Sequence, residues 1–371
     1  MIESGLIRTI LTALHRRVEV QQEASNWSHV VAVAGDATVD HLQQVWDCEG
    51  LAWSTESHCR LDLSRSRFID AAGLVYLLAR LRERGRHGHL RTSVRLPAAT
   101  QQMDFLRSFS FPGALAEALG KPLSEVLAPD SLFRLASPTP SVMSALTSVR
   151  PTLPPNQFPL ETLTLGERSR HVEAVQYAHR WLSKHVLSAL DRDLADSGGK
   201  VARSIVLEAL MAASTSNGVR AALVAAHYGL RSQFGPCLQI SVWWETQAER
   251  THASLAALAS EMLAMATDTR GAPMPEIRYE TSGEAVEAPL TVLAEAVTLT
   301  FRGRIDLYQS GLRMVLDAPR AGAEEHEARE LPVLRWSKIH PFPGSLLVLT
   351  IPFQERSGTR RVEARLGHAT R

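Results

Sequence analysis

Along the run RLDLSRSRFIDAAGLVYLLARL, Arg60 to Leu81, the spacing of apolar positions changes period. Leu61 and Leu63 alternate with polar neighbours, which predicts a strand, whereas Leu74, Leu77, Leu78 and Leu81 recur at helical spacing. The period changes between Phe68 and Gly73, so a buried strand is expected to turn there into an amphipathic helix. Asp70 falls where an N-cap belongs. Its carboxylate is expected to accept from a backbone N–H one or two residues on, and its charge suits the positive end of the helix.

The flanks read as parts of the same unit. His29 to Ala34 is an apolar run short enough for a buried strand, Gly35-Asp36 reads as a turn, and Leu42, Val45 and Trp46 follow at helical spacing. Leu90 to Leu96 alternates like a strand, and Met103, Leu106 and Phe109 place a closing helix over 98–109. Strands alternating with helices predict an α/β unit with a sheet under helical cover, over residues 26–120.

The junction resembles the STAS domain of bacterial anti-sigma factor antagonists and stressosome proteins. That family reads approximately Asp-Leu-Ser, then Ile-Asp-Ser-Ser/Thr-Gly-Leu; here the residues are Asp62-Leu63-Ser64 and Ile69-Asp70-Ala71-Ala72-Gly73-Leu74. The resemblance implies a mixed sheet with covering helices. It also implies a partner-binding surface at Asp70, Ala71, Ala72, Gly73 and Leu74, a helix start expected to face either the second domain or a third protein. In the family the serine after the aspartate is phosphorylated by a partner kinase and selects the partner. Ala71 and Ala72 carry no hydroxyl, so the resemblance implies the docking surface without that switch; Ser64 and Ser66 are the nearby hydroxyls.

The 371 residues, 45% of them hydrophobic, suffice for two packed domains, and a net charge of +1 gives no reason to expect nucleic acid. Residues 1–25 carry Ile2, Leu6, Ile10 and Leu14 at helical spacing. Arg8 interrupts them, so the segment reads as an amphipathic docking helix, with no membrane partner expected. The three cysteines show no CxxC pair, which favours a reducing cytoplasm and no metal site. Eight prolines between 121 and 160 predict a stiff linker interrupted by short helical turns, for instance around Leu123 to Leu127. A basic tail is expected at 356–371, with five arginines and one glutamate.

Residues 161–355 read as a second domain. Helical patterns cover 168–190 and 201–213, strands are predicted over 219–228 and 237–244, and Ser345 to Phe353 is a late strand after the turn Pro341-Phe342-Pro343-Gly344. Trp243 and Trp244 alternate, so one is expected in the core and the other toward a partner or groove.

This order resembles the GHKL ATPase fold of histidine kinases and anti-sigma serine kinases, an α/β sandwich with helices on one face of a mixed sheet. In that family a helix glutamate activates a hydroxyl, and an asparagine four residues on holds magnesium. Glu208 matches the glutamate as a vestigial base, but position 212 is Ala212, and Asn217 lies nine residues away. Losing an oxygen ligand weakens a hard-cation site. The family's Asp-x-Gly-x-Gly is replaced by Trp243-Trp244-Glu245-Thr246-Gln247-Ala248, without glycine. Ser310-Gly311-Leu312, ahead of a helix over 313–316, is the nearest match to the phosphate loop. Glu208 and Gly311 are therefore the two cofactor-binding candidates.

The chain has no GxxxxGK[ST], HExxH, GxSxG or GxGxxG, so P-loop, zincin, hydrolase and dinucleotide chemistries lack their minimal geometry. The resemblances together imply a fold of the α/β (α+β) class. They imply a bacterial cytoplasmic regulatory or scaffold protein in which a STAS-like module and a pseudo-ATPase bind a protein partner, without catalysis, metal or cofactor. Two other readings stand beside it: a GHKL kinase or ATPase with a divergent site that uses ATP and magnesium, and a structural subunit of a larger defence or mobile-element complex.

Overall fold

The computed structural model describes residues 27–88, 90–136, 157–164, 221–232, 235–245, 297–298, 302–318 and 333–352. The expected N-terminal helix, the helices over 168–190 and 201–213, and the basic tail lie outside these residues. Among the described residues the fold is α/β, with two sheets of different kind. Strands β1 (His29–Ala37), β2 (His58–Ile69) and β3 (Arg91–Arg95) form a sheet in the order β1-β2-β3, in which both pairings are parallel. The mixed sheet expected for this unit is, in these three strands, wholly parallel.

Helix α1 (Val39–Thr55) connects β1 to β2, and α2 (Ala71–Arg86) connects β2 to β3. The predicted turn at Gly35-Asp36 is instead an irregularity inside β1: Gly35 has φ +82°, and the register with β2 shifts between Gly35 and Asp36. A residue without Cβ tolerates that left-handed backbone. Helix α1 begins after Thr38, whose side chain accepts from the His41 N–H.

The first unit runs past residue 120. Helices α3 (Thr100–Ser108) and α4 (Phe111–Leu119) are followed by α5 (Leu123–Val126) and α6 (Pro129–Ala136). Val126 and Leu127 are buried in the same core as β2 and α2. The Ala128 N–H donates to the Val94 carbonyl at 3.0 Å, and the Leu96 N–H donates to Ser131 Oγ at 2.9 Å. Pro122 and Pro129 therefore sit at helix starts, where proline's missing N–H costs nothing, and helical structure reaches Ala136, inside the span 121–160 read as linker.

The second sheet has the order β4-β5-β6-β8-β7, from β4 (Gln157–Thr164), β5 (Ala221–Ser232), β6 (Gly235–Trp244), β7 (Arg304–Asp317) and β8 (Val333–Pro352). Every pairing is antiparallel, again differing from the mixed sheet expected. The β5–β6 hairpin pairs the two predicted strands, but β5 runs on to Ser232 and β6 starts at Gly235, where the sequence reads a connection over 229–236. The predicted turn at Pro341 to Gly344 lies inside β8, where Gly344 has φ +74° and a Cβ would strike the Trp244 carbonyl.

Helix α2 joins the two sheets. It is expected to be amphipathic, yet Leu74, Val75, Tyr76, Leu77, Leu78, Ala79, Arg80 and Leu81 are all buried. A helix covered all round is an interior helix. One side meets α1 and α4 and reaches β1 and β3 at Gly73 and Arg84, and β5, β6 and β8 cover the other. A single apolar cluster accordingly contains Leu61, Leu74 and Tyr76 together with Trp243, Tyr308, Phe342, Leu346 and Val348. Each such side chain, once fully buried, contributes roughly 1.5–3 kcal/mol.

Arg84, on the same helix, is buried and inward. Its Nε donates to Thr92 Oγ1 at 2.8 Å, and its Nη atoms donate to the carbonyls of Trp53 and Glu56 at the end of α1. Carbonyls left open by a helix terminus are thus satisfied from a neighbouring helix. Burial lowers the Arg84 pKa, while the nearby Cys59 and Glu56 raise it.

Candidate functional site: the face between helix α2 and the antiparallel sheet

Because strand residues alternate, Gln239, Ser241 and Trp243 of β6 share one sheet face with their register partners Thr350, Val348 and Leu346 of β8. Across β8, Arg304, Asp306 and Tyr308 of β7 continue that face. It receives the first turn of α2. The opposite face carries Leu238, Ile240, Val242, Trp244, Leu347 and Leu349, also buried. Both tryptophans are therefore inside, and neither opens onto a groove.

Asp70 is the N-cap of α2. Its Oδ1 accepts from the Gly73 N–H at 2.5 Å, three residues on. The sequence places the acceptor bond one or two residues along; the helical backbone turns the third N–H toward the cap. Oδ2 accepts from Gln239 Nε2 at 3.2 Å, while Gln239 Oε1 accepts from the Ala72 N–H at 3.2 Å. One amide thus reads both the cap carboxylate and an open helix N–H, which fixes the register of sheet against helix. Burial drives the Asp70 pKa up to about 6; the two donors lower it, and Asp40 adds to the rise. Gly73 lets the turn approach β1, since a Cβ there would meet the Ala37 carbonyl.

Asp70, Ala71, Ala72, Gly73 and Leu74, predicted as the partner-binding residues, are all buried. The residue that meets them belongs to this chain's own second sheet. Of the two faces expected for this helix start, the second domain or a third protein, the described residues meet the second sheet of this chain. Ser66 is also buried, its hydroxyl donating to the Val33 carbonyl at 3.2 Å.

Further along α2, Arg80 closes a ring of hydrogen bonds through three elements. Its Nη2 donates to Tyr76 Oη at 3.0 Å and to the His340 carbonyl at 3.3 Å, and its Nη1 donates to the Pro341 carbonyl. Tyr76 Oη donates to Gln43 Oε1 at 3.0 Å, Gln43 Nε2 donates to Asp47 Oδ1 at 2.7 Å, and Asp47 Oδ1 accepts from the His340 N–H at 2.6 Å. The irregular Pro341–Gly344 stretch thus presents carbonyls to a buried guanidinium. Burial raises the Tyr76 pKa to about 12, although Arg80 lowers it.

A third contact is ionic. Arg304 binds Asp306 through two bonds of 2.6 Å, and Arg313 binds Asp306 at 2.7 Å and also Asp40 at the start of α1. Tyr308 Oη donates to Asp40 Oδ1 at 3.4 Å. At the other end, Glu245 after β6 pairs with Arg82 and Arg86 of α2.

Glu208 lies outside the described residues. Gly311 lies inside β7, where the register with β8 is irregular between Ser310 and Leu312. The helix expected over 313–316 is strand, so the phosphate-loop geometry anticipated at Gly311 is corrected. Among the described residues no group of His, Cys, Asp and Glu is arranged to hold a metal, and no described helix is long and apolar enough to cross a membrane.

The sequence analysis missed Gln239, Arg80, Asp40, Arg313 and His340. Arg80 carried a signal, a charge among Leu77, Leu78 and Leu81; Gln239 carried one too, a polar residue in the apolar run CLQISVWW. Comparison of the chain with family models, curated proteins and solved structures finds no match.

Proposed function

We propose that this chain is a non-catalytic regulatory or scaffold protein of the bacterial cytoplasm, in which a STAS-like module and a pseudo-ATPase module recognise each other within one polypeptide. One observation carries the reading. The helix start that would carry a phosphate switch has alanine at 71 and 72 and is sealed against Gln239 of the same chain. Covalent linkage gives each module a high effective concentration for the other, so the contact is held without a separate binding event. Surfaces away from the buried face then bind the protein partner.

Two measurements test this. Calorimetry of the full chain with ATP and magnesium is expected to give no saturable heat, and copurification from the native host is expected to give a stoichiometric protein partner. Micromolar, magnesium-dependent ATP binding that disappears in Glu208→Ala would replace this reading with a kinase or ATPase. Copurification inside a multi-subunit defence or mobile-element assembly would replace it with a structural role.

A further inference from the structure

Asp70 is a carboxylate buried between two modules with no cation paired to it among the described residues. Its partners are the Gly73 N–H at 2.5 Å and the Gln239 amide at 3.2 Å, both neutral. The charged side chains with contacts at this face are Asp40, Arg304, Asp306 and Arg313. Asp40 of α1 is the charged neighbour that acts on Asp70, and its effect is repulsive. The arginines of β7, Arg304 and Arg313, are bonded to Asp306 and Asp40. From β6 and β8 the facing row is Gln239 and Thr350, both neutral, and on β5 the register partner of Gln239 is His227, which is titratable. From α4, Ala118 is the backbone neighbour of α2 at Gly85, far along the helix.

We propose that the junction of α2 with β6 is a proton-operated latch, which closes on a neutral Asp70 carboxyl and loosens when that carboxyl ionises. The physical reason is the asymmetry between the closed and open states. Closed, Asp70 is 3% exposed, and its charge must be held by two neutral donors in a low-dielectric layer. Open, the same side chain is a solvated N-cap of an otherwise unchanged helix, where charge is favourable.

The sign follows from linkage. Asp70 has its pKa raised on closure from 3.8 to about 6, so the closed state binds more protons between those values. Its contribution to closure is complete below about pH 4 and is lost as pH rises through about 6. The closed-to-open ratio is expected to fall roughly 100-fold across that window. His340, at the far end of the same face, works the other way: burial lowers its pKa, so its protonation opposes closure as pH falls. The two contributions differ in sign. This latch does not depend on the regulatory role proposed above and holds equally for an ATPase.

The test is amide hydrogen exchange of the full chain from pH 3.5 to pH 8, corrected for intrinsic rates, read at residues 71–75 and 237–244. Protection is expected to fall between about pH 4 and about 6 and to level off above, with the midpoint of the fall at about 5. Asp70→Asn keeps a helix cap and is expected to flatten the profile. Gln239→Glu sets a second carboxylate against the first, so the pair shares a proton and the midpoint moves up. A flat profile in the parent, an unaltered profile in Asp70→Asn, or an unmoved midpoint in Gln239→Glu overturns the proposal; Gln239→Glu decides it where Asp70→Asn fails to fold.

Discussion

The guanidinium of Arg80 lies 5.0 Å from the ring centre of Phe342, and the two belong to different sheets' territory: one is on the helix of the parallel unit, the other on β8 of the antiparallel unit. The same guanidinium stacks near Trp46 and Tyr76 at 5.8 and 5.3 Å. A buried cation among aromatic faces, with two carbonyls as acceptors, holds the modules by geometry as well as by burial.

Arg80→Met is expected to cost about 1–3 kcal/mol in urea unfolding, because the part-buried carbonyls of His340 and Pro341 and the buried Tyr76 hydroxyl lose a charged donor. Arg80→Lys is expected to recover little of this. One ammonium cannot span both carbonyls and the Tyr76 hydroxyl. A lysine variant as stable as the parent would show that charge alone, without the planar fork, suffices.

Gly50 of α1 lies against the His340 ring, where an added Cβ would collide with the imidazole. Gly50→Val is expected to destabilise by about 1–3 kcal/mol through overpacking. His340→Ala in the same chain should relieve most of that clash. A double-mutant cycle measures the coupling, and additive effects would show that the two residues do not meet in solution.

Ala71 and Ala72 are buried at the start of α2. Ala71→Ser is expected to change stability by under about 1 kcal/mol, because a hydroxyl at a helix start finds a backbone partner readily. Ala71→Glu, which brings charge into the layer that phosphate would occupy in a STAS domain, is expected to separate the modules. Amide hydrogen exchange at residues 71–75 and 237–244 reads this out. Equal exchange in the parent and Ala71→Glu would show that the buried turn does not set the contact.

Asp40 is half exposed yet binds Arg313 and Arg304 across the module boundary. Asp40→Asn is expected to cost no more than about 1 kcal/mol at low salt, since exposed ion pairs contribute little. The difference from the parent should shrink as ionic strength rises toward 1 M. A salt-independent loss would mean that the Tyr308 hydrogen bond, not charge, carries the contact.

Much of the local structure was legible in the residues. The strand and helix around Ile69 and Asp70 were set by a change of hydrophobic period and by a cap, both of them short-range signals. The hairpin of β5 and β6 was legible for the same reason. The turns read at Gly35 and at Pro341–Gly344 were misplaced because glycine marks a left-handed backbone, which serves an irregular strand as well as a turn. The helix expected after Gly311 was likewise misplaced: residues 312–316 have no strong period, and pairing with β8 decided their conformation. Prolines 122 and 129 read as linker because proline at a helix start and proline in an extended spacer look alike in sequence.

The sequence by itself determined where period-two and helical runs lie, that Asp70 caps a helix, and that positions 71 and 72 have no hydroxyl to modify. Those are properties of neighbouring residues, and the backbone settles them within a few turns. Only the tertiary structure decided that α2 is covered on both sides, because its second cover comes from strands more than 130 residues later in the chain. The pairing of Gln239 with Asp70, 169 positions apart, and the placing of Arg80 beneath Pro341, 261 positions apart, have no local signature. What Asp70 does depends on the medium around its carboxyl, and that medium exists only once both sheets have closed on the helix.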